Sequence, residues 1–236
     1  LKNCACEPEI KNLTDFLKKM GIKITWLSKR KIKIIGNQKL KAVSHNVMFD
    51  RIEAGTFIIA GALASRNLKI VGIETKILNK ELKVLKKMGV KFKIKKNEIK
   101  VLDSKNIRSA YIKTEPYPGF PTDLQAQIMV LMTKAKGISK IKENIFENRF
   151  MHVPELNRMG AKIRTSGNSS FIHGPQNLNG AEVMATDLRA SVSLVLAGLI
   201  AKNKTIVNRV YHLDRGYEEL EKKLRKCKAN ISRVYN

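Results

Sequence analysis

One pattern returns along the chain and limits its fold more than any other feature. Apolar residues at helical spacing run into Met-Gly, and a short alternating β-hairpin follows. It reads Asp15-Phe-Leu-Lys-Lys-Met-Gly-Ile-Lys-Ile24, then Leu82-Lys-Val-Leu-Lys-Lys-Met-Gly-Val-Lys-Phe92, then Val153-Pro-Glu-Leu-Asn-Arg-Met-Gly-Ala-Lys-Ile163. Gly21, Gly89 and Gly160 are thus spaced by 68 and 71 residues. Glycine just past a helix is the expected C′ residue, because it enters the left-handed region without a steric cost. A degenerate copy from Leu220 to Ile231 closes the chain.

A second helix alternates with the first, at Asp50 to Leu63, Thr122 to Leu131 and Thr186 to Val195. Its copies are small and apolar nearly all round, so each should be buried. Short strands follow at 68–72, 137–141 and 204–208. The fold class is therefore α/β, built from repeated βαβαββ units over roughly 43–102, 109–174 and 182–236. Residues 7–35 hold only the closing helix and hairpin of a further copy. The third copy stops after one hairpin strand, Asn230 to Val234. This predicts one nearly complete domain over 49–236, short of one strand, and the tail of another over 1–48, with the crossing at Val43 to Phe49.

At 236 residues the chain can bury a proper core, and 43% hydrophobic with 28% charged content fits a soluble globular protein. The longest apolar run, Val192 to Ala201, holds Ser193 and Gly198 and ends at Lys202, so no membrane span is expected. No leader pattern opens the chain, which begins without Met and reads as a fragment. Cys4, Cys6 and Cys227 are too few for a disulfide framework, and no second ligand pair follows the Cys-x-Cys, so a cytoplasmic setting and no metal are expected. The net charge of +26 would attract polyanions. Its lysines are spread over nearly every element, without the interleaved aromatics that stack bases, so it reads as a solvated surface and nucleic acid is disfavoured as a partner.

The stretch Glu115-Pro-Tyr-Pro-Gly-Phe-Pro-Thr-Asp-Leu-Gln-Ala-Gln127 is a stiff turn followed by a helix, with Thr122 or Asp123 as its expected cap. Aligning Ala54, Ala126 and Ala190 puts Arg51, Asp123 and Asp187 at one equivalent position, where three converging units would bring them together. The plain alternative is three surface N-caps. Glu147 to Val153, Thr186 to Arg189 and Tyr211 to Tyr217 add Arg149, Arg189 and Arg215 at loop or helix-start positions. Arginine offers a fixed fork for carboxylate or phosphate. Three of them beside two aspartates suggest a small, multiply anionic substrate and an acid–base step.

Pro118-Gly-Phe-Pro-Thr-Asp-Leu-Gln-Ala-Gln, Phe146-Glu-Asn-Arg-Phe-Met-His-Val-Pro-Glu-Leu, Met184-Ala-Thr-Asp-Leu-Arg-Ala-Ser and His212-Leu-Asp-Arg-Gly-Tyr-Glu carry a resemblance. They resemble the UDP-N-acetylglucosamine enolpyruvyl transferases, over essentially the whole chain. The resemblance implies two inside-out α/β barrels of three repeats each, with the active site in the cleft between them. It implies transfer of the enolpyruvyl group of phosphoenolpyruvate to the 3′-hydroxyl of UDP-N-acetylglucosamine, without a cofactor. By resemblance Asp123 is the general base, assisted by Asp187. Arg149 and Arg189 match residues around the phosphoenolpyruvate carboxylate, and Arg215 one that holds its phosphate. Asp123 and Ile145 match nucleotide-sugar contacts, and Glu7, Asp50 and Arg51 match cleft residues. The family's N-terminal Lys-Asn pair and its Cys-bearing loop are not in this sequence, so the missing N-terminal portion is an expected partner and the chain alone is expected to be inactive. The shikimate-pathway transferase and a non-catalytic polyanion-binding protein on the same fold are the competing readings.

Overall fold

The computed structural model describes residues 1–36, 39–64 and 67–234. It opens with α1 (Pro8–Lys19) and the antiparallel hairpin β1 (Lys23–Ser28) and β2 (Lys31–Ile35). The first unit follows as α2 (Arg51–Ala64), β3 (Lys69–Val71), α3 (Asn79–Lys87), β4 (Lys91–Lys95) and β5 (Glu98–Leu102). The second is β6 (Tyr111–Lys113), a 3-10 turn (Thr122–Leu124), α4 (Gln125–Met132), β7 (Gly137–Lys142), α5 (Val153–Arg158), β8 (Lys162–Ser166) and β9 (Ser169–Gly174). The third is β10 (Glu182–Met184), α6 (Leu188–Gly198), β11 (Ile206–Asn208), α7 (Tyr211–Asp214) and α8 (Leu220–Lys226).

The Met-Gly motif does what its sequence predicts. Gly21, Gly89 and Gly160 have φ of 110°, 93° and 93°, and each turns the chain from a helix into an antiparallel hairpin. A side chain at these positions would be strained in that left-handed conformation.

Only the second unit forms the whole βαβαββ pattern. Its sheet runs β6-β7-β9-β8, with β6 and β7 parallel and the other pairs antiparallel. The first unit has the sheet β3-β5-β4 and, among the described residues, no strand ahead of α2. Among the described residues, the third has only the parallel pair β10-β11. The strand expected at Asn230 to Val234 is not formed there. A strand needs a neighbour for its backbone groups. Arg233 instead draws this segment onto Asp214, with hydrogen bonds of 2.8 and 2.5 Å.

The helices α2, α4 and α6 lie inside, with the sheets around them. Every residue of α4 is buried, and α4 packs against both α2 and α6. A Cβ at Gly55 would come within 2.5 Å of Leu124 Cδ1, so α2 approaches the second unit only because no side chain stands there. In β5, Ile99 and Val101 are fully buried, while Glu98, Lys100 and Leu102 are less covered. That period of two faces the apolar residues to the helices. Hydrophobic groups from all three units join into one cluster, which brings the starts of the buried helices together.

Candidate functional site

The Pro loop delivers Asp123 to the site, but not as a cap. Tyr117-Pro118 is cis, and a Cβ at Gly119 would collide with Glu115 and with the Pro116 carbonyl. The chain then enters its 3-10 turn at Thr122, and α4 begins at Gln125 with no side-chain cap. Thr122, the other expected cap, donates its hydroxyl to Glu143 at 2.9 Å. The Asp123 carboxylate is left facing outward. Its Oδ1 accepts from Arg149 Nη2 at 3.0 Å and its Oδ2 from Arg189 Nη2 at 3.2 Å.

Asp187 does cap its helix. Its Oδ1 accepts from the amides of Arg189 at 2.7 Å and Ala190 at 2.9 Å, and Ser191 donates to its carbonyl. The same work ahead of α2 falls to Asp50, whose Oδ1 accepts from Ile52 at 2.7 Å and Glu53 at 3.0 Å. The equivalence of Arg51 with Asp187 is therefore off by one residue, because Asp50 holds the cap. Arg51, the first residue of α2, is buried. It donates to Glu9 at 2.7 Å, approaches Glu81 at 3.8 Å and lies over the Tyr117 ring at 5.7 Å. Burial pushes the Glu81 carboxyl up, while its own backbone hydrogen bond and Arg51 pull it down.

Asp123 stands where two groups of residues meet. On one side a cavity of about 260 Å³ is lined by Glu7, Arg51, Tyr117, Asp123, Ile145 and Phe146, among others. Glu7 accepts from the Tyr117 amide at 3.3 Å through Oε1, and its buried Oε2 has no partner. On the other side are the two arginines. Arg149 lies 4.6 Å over the Phe146 ring, which fixes its guanidinium plane. Burial opposes the charge of Arg189, but Asp123 and the Tyr217 hydroxyl outweigh it and hold its pKa above the ordinary value. Arg215 is exposed on the C-terminal end of α7 and forms none of these contacts. A second cavity of about 270 Å³, bordered by Leu63, Lys105, Lys134 and Gln176, contains none of these residues.

Behind Asp123 lies a polar network that sequence reasoning missed. Tyr217 is fully buried, and its hydroxyl meets Thr56 Oγ1 at 2.8 Å. Gln127 Nε2 donates to Thr56 Oγ1 at 3.2 Å, to Tyr217 at 3.3 Å and to the Asp123 carbonyl at 2.9 Å. One residue from each unit takes part. The available signal was a polar side chain set inside each of two mostly apolar helices: Thr56 in α2, which also carries Arg51 and Glu53, and Gln127 in α4, which also carries Gln125. His152 was also passed over. It is buried, its Nε2 has no partner, and burial drives its pKa down to about 4, with Asp187 opposing and Arg149 reinforcing the shift.

Among the described residues, no cluster of three or more His, Cys, Asp or Glu could hold a metal ion, and no helix is long and apolar enough to cross a membrane. The arrangement can hold an anion between two fixed guanidinium groups and can present a carboxylate to a group in the adjoining cavity.

The sequence profile of EPSP synthase (3-phosphoshikimate 1-carboxyvinyltransferase) matches residues 1–224. A UDP-N-acetylglucosamine 1-carboxyvinyltransferase of Pelagibacter ubique is 60% identical over 234 residues, covering 99% of this chain and 56% of that protein. The protein of the same name from Rickettsia canadensis is 50% identical over 235 residues, covering 99% and 56%. The chain thus spans just over half the length of these relatives. Among solved structures, the enolpyruvyl transferase NikO from Streptomyces tendae aligns with a TM-score of 0.91 at 28% identity, over 98% of this chain and 56% of that one. EPSP synthase from Acinetobacter baumannii aligns with a TM-score of 0.53 at 21% identity, over 68% of this chain and 38% of that one, a likeness of fold alone.

Proposed function

The chain belongs to the EPSP synthase (3-phosphoshikimate 1-carboxyvinyltransferase) family, and on that premise we propose that it carries part of the site of a UDP-N-acetylglucosamine enolpyruvyl transferase. The reaction joins the 3′-hydroxyl oxygen of UDP-N-acetylglucosamine to the enolpyruvyl group of phosphoenolpyruvate and releases phosphate, the first committed step toward peptidoglycan precursors. Identity of 60% to a relative of that name, against 21% to an EPSP synthase, favours the nucleotide sugar over shikimate 3-phosphate as acceptor.

One observation carries the reading: Asp123 is held between Arg149 and Arg189 at the edge of the cavity lined by Ile145, Glu7 and Arg51. Each Asp123 oxygen accepts one guanidinium hydrogen bond, and these bonds compete with a substrate hydroxyl for the carboxylate. An incoming carboxylate competes for the same forks. As Arg149 and Arg189 turn to it, Asp123 is released toward the acceptor hydroxyl and takes its proton as the oxygen bonds to C2 of phosphoenolpyruvate. C3 gains a proton from outside these residues, and loss of phosphate with a C3 proton then restores the double bond. The arginines then face the charge that develops in the tetrahedral intermediate. Arg215, exposed and without a partner among the described residues, is assigned to the leaving phosphate. Asp187 supports the reacting centre through the start of α6, and Asp50 and Arg51 shape the cleft wall. We keep the division into 1–48 and 49–236, and a cytoplasmic setting, as parts of this reading.

The test compares two acceptors. In the longest natural chain that contains these residues, phosphoenolpyruvate should release phosphate with UDP-N-acetylglucosamine and not with shikimate 3-phosphate. Release with shikimate 3-phosphate alone, or with neither acceptor, overturns the proposal. The 236 residues by themselves should release none.

A further inference from the structure

Glu143 follows β7 and is 2% exposed, yet no step of the reaction uses it. A buried carboxylate is costly unless its oxygens are hydrogen-bonded. Here both are. Its Oε1 accepts from the Thr114 hydroxyl at 2.8 Å, the Ile145 amide at 2.9 Å and the Phe146 amide at 3.2 Å. Its Oε2 accepts from the Thr122 hydroxyl at 2.9 Å. These donors come from three places: the end of β6, the turn that carries Asp123, and the loop that leads to Arg149. Asn144 ties the first and third together again, its amide donating to Thr114 Oγ1 at 2.9 Å and its Nδ2 to the Thr114 carbonyl at 3.3 Å.

We infer that Glu143 is a positioning residue for the acceptor side of the site. It sets the separation between the Asp123 turn and the Ile145–Phe146 wall of the cavity, and hence the seat of the acceptor hydroxyl beside the carboxylate. Thr122 precedes Asp123 directly, so a carboxylate holding the Thr122 hydroxyl fixes that turn without touching Asp123. The same carboxylate holds the two amides that shape the loop in which Phe146 stacks on Arg149. Base and wall are therefore placed by one side chain, and a shift of about 1 Å between them is enough to cost roughly a hundredfold in rate.

The inference rests on the proposed reaction for its kinetics, but has a readout that does not. Glu143→Ala should raise the exchange of the Ile145 and Phe146 amides with deuterated solvent. It should also raise KM for UDP-N-acetylglucosamine by about tenfold or more, with KM for phosphoenolpyruvate changed much less. Glu143→Gln should restore most of both, because its amide oxygen can take the three Oε1 donors while its NH2 donates to a turned Thr122 hydroxyl. Should Glu143→Ala fail to fold, Thr122→Val cuts only the Oε2 link. It should raise the same KM by a smaller factor and leave the Ile145 and Phe146 amides protected. Unchanged amide exchange in Glu143→Ala overturns the inference, as does a lowered melting temperature with KM unchanged, or a Gln variant as damaged as the Ala variant. If the parent uses neither acceptor, the proposed function fails while the exchange experiment still decides the role of Glu143.

Discussion

Thr122-Asp123-Leu124 and Thr186-Asp187-Leu188 are the same three residue types ahead of two buried helices, and the chain uses them differently. Asp187 takes an extended backbone and turns its carboxylate onto the amides of α6. Asp123 sits inside a 3-10 turn, caps nothing, and meets two arginines from other elements. The cause lies outside the motif. Pro121 and the stiff loop before it bring the chain in at an angle that makes a tight turn, and buried Glu143 takes the Thr122 hydroxyl. A carboxylate that caps its own helix commits an oxygen to backbone amides that no ligand displaces, whereas Asp123 has both oxygens on arginine side chains that an anion can draw away. The lesson is that the surroundings of a repeated motif decide which copy keeps the structural duty.

The sharpest separation between the two aspartates is expected in turnover. In the longest natural chain, Asp123→Asn should lower phosphate release about a thousandfold, the middle of the range a general base contributes, and leave the melting temperature nearly unchanged. Asp187→Asn retains a good capping side chain, so an equal loss of turnover there would break the comparison and give both aspartates a part in the chemistry.

A pH titration of stability sharpens it next, through the imidazole that senses both Asp187 and Arg149. His152 is neutral in the fold, with a pKa of about 4 against the ordinary 6.5. As pH falls, the unfolded chain takes the proton first, so this contribution is complete above 6.5 and is lost on the way down to about 4. That difference corresponds to about 3 kcal/mol. Denaturant titrations at several pH values should show the loss, and His152→Leu should flatten it.

Tyr217→Phe removes the hydroxyl that Thr56 and Gln127 share behind Asp123. The orphaned partners should cost about 2 kcal/mol, read as a lower denaturation midpoint. Burial pushes the Tyr217 hydroxyl up, against its hydrogen bonds with Thr56 and Gln127 and the Arg189 charge, so it stays protonated and the network keeps its donor through neutral pH.

The smallest effect belongs to the cap itself. Asp187→Ala should cost about 1 kcal/mol, a shift of about 2–4 °C in melting temperature for a chain of this size, and Asp187→Asn should not. Asp123→Ala removes no cap, and any drop in melting temperature there should come from Arg149 and Arg189 losing their shared partner.

Much of the fold was legible because repeats and periodicity are local properties. The Met-Gly turns, the three buried helices and most hairpins follow from glycine stereochemistry and from which residues avoid water. The missing strand at Asn230 to Val234 was not legible, since a strand depends on a neighbour and not on its own residues. Within the site, sequence spacing brought Asp123, Arg149 and Arg189 forward as candidates. It misread the cap ahead of α2 by one residue, and it passed over Glu143, Tyr217 and His152. A buried polar side chain looks like any other in sequence until its partners are known.

Residue order alone thus determined the α/β class, the count of units and the position of the stiff loop, all set by contacts between near neighbours in the chain. Tertiary structure alone decided that Asp123 would bridge Arg149 and Arg189 while Asp187 would cap. That choice depends on groups lying 26 and 66 positions from Asp123 along the chain. Only packing of the three units around one core brings such groups within hydrogen-bonding distance.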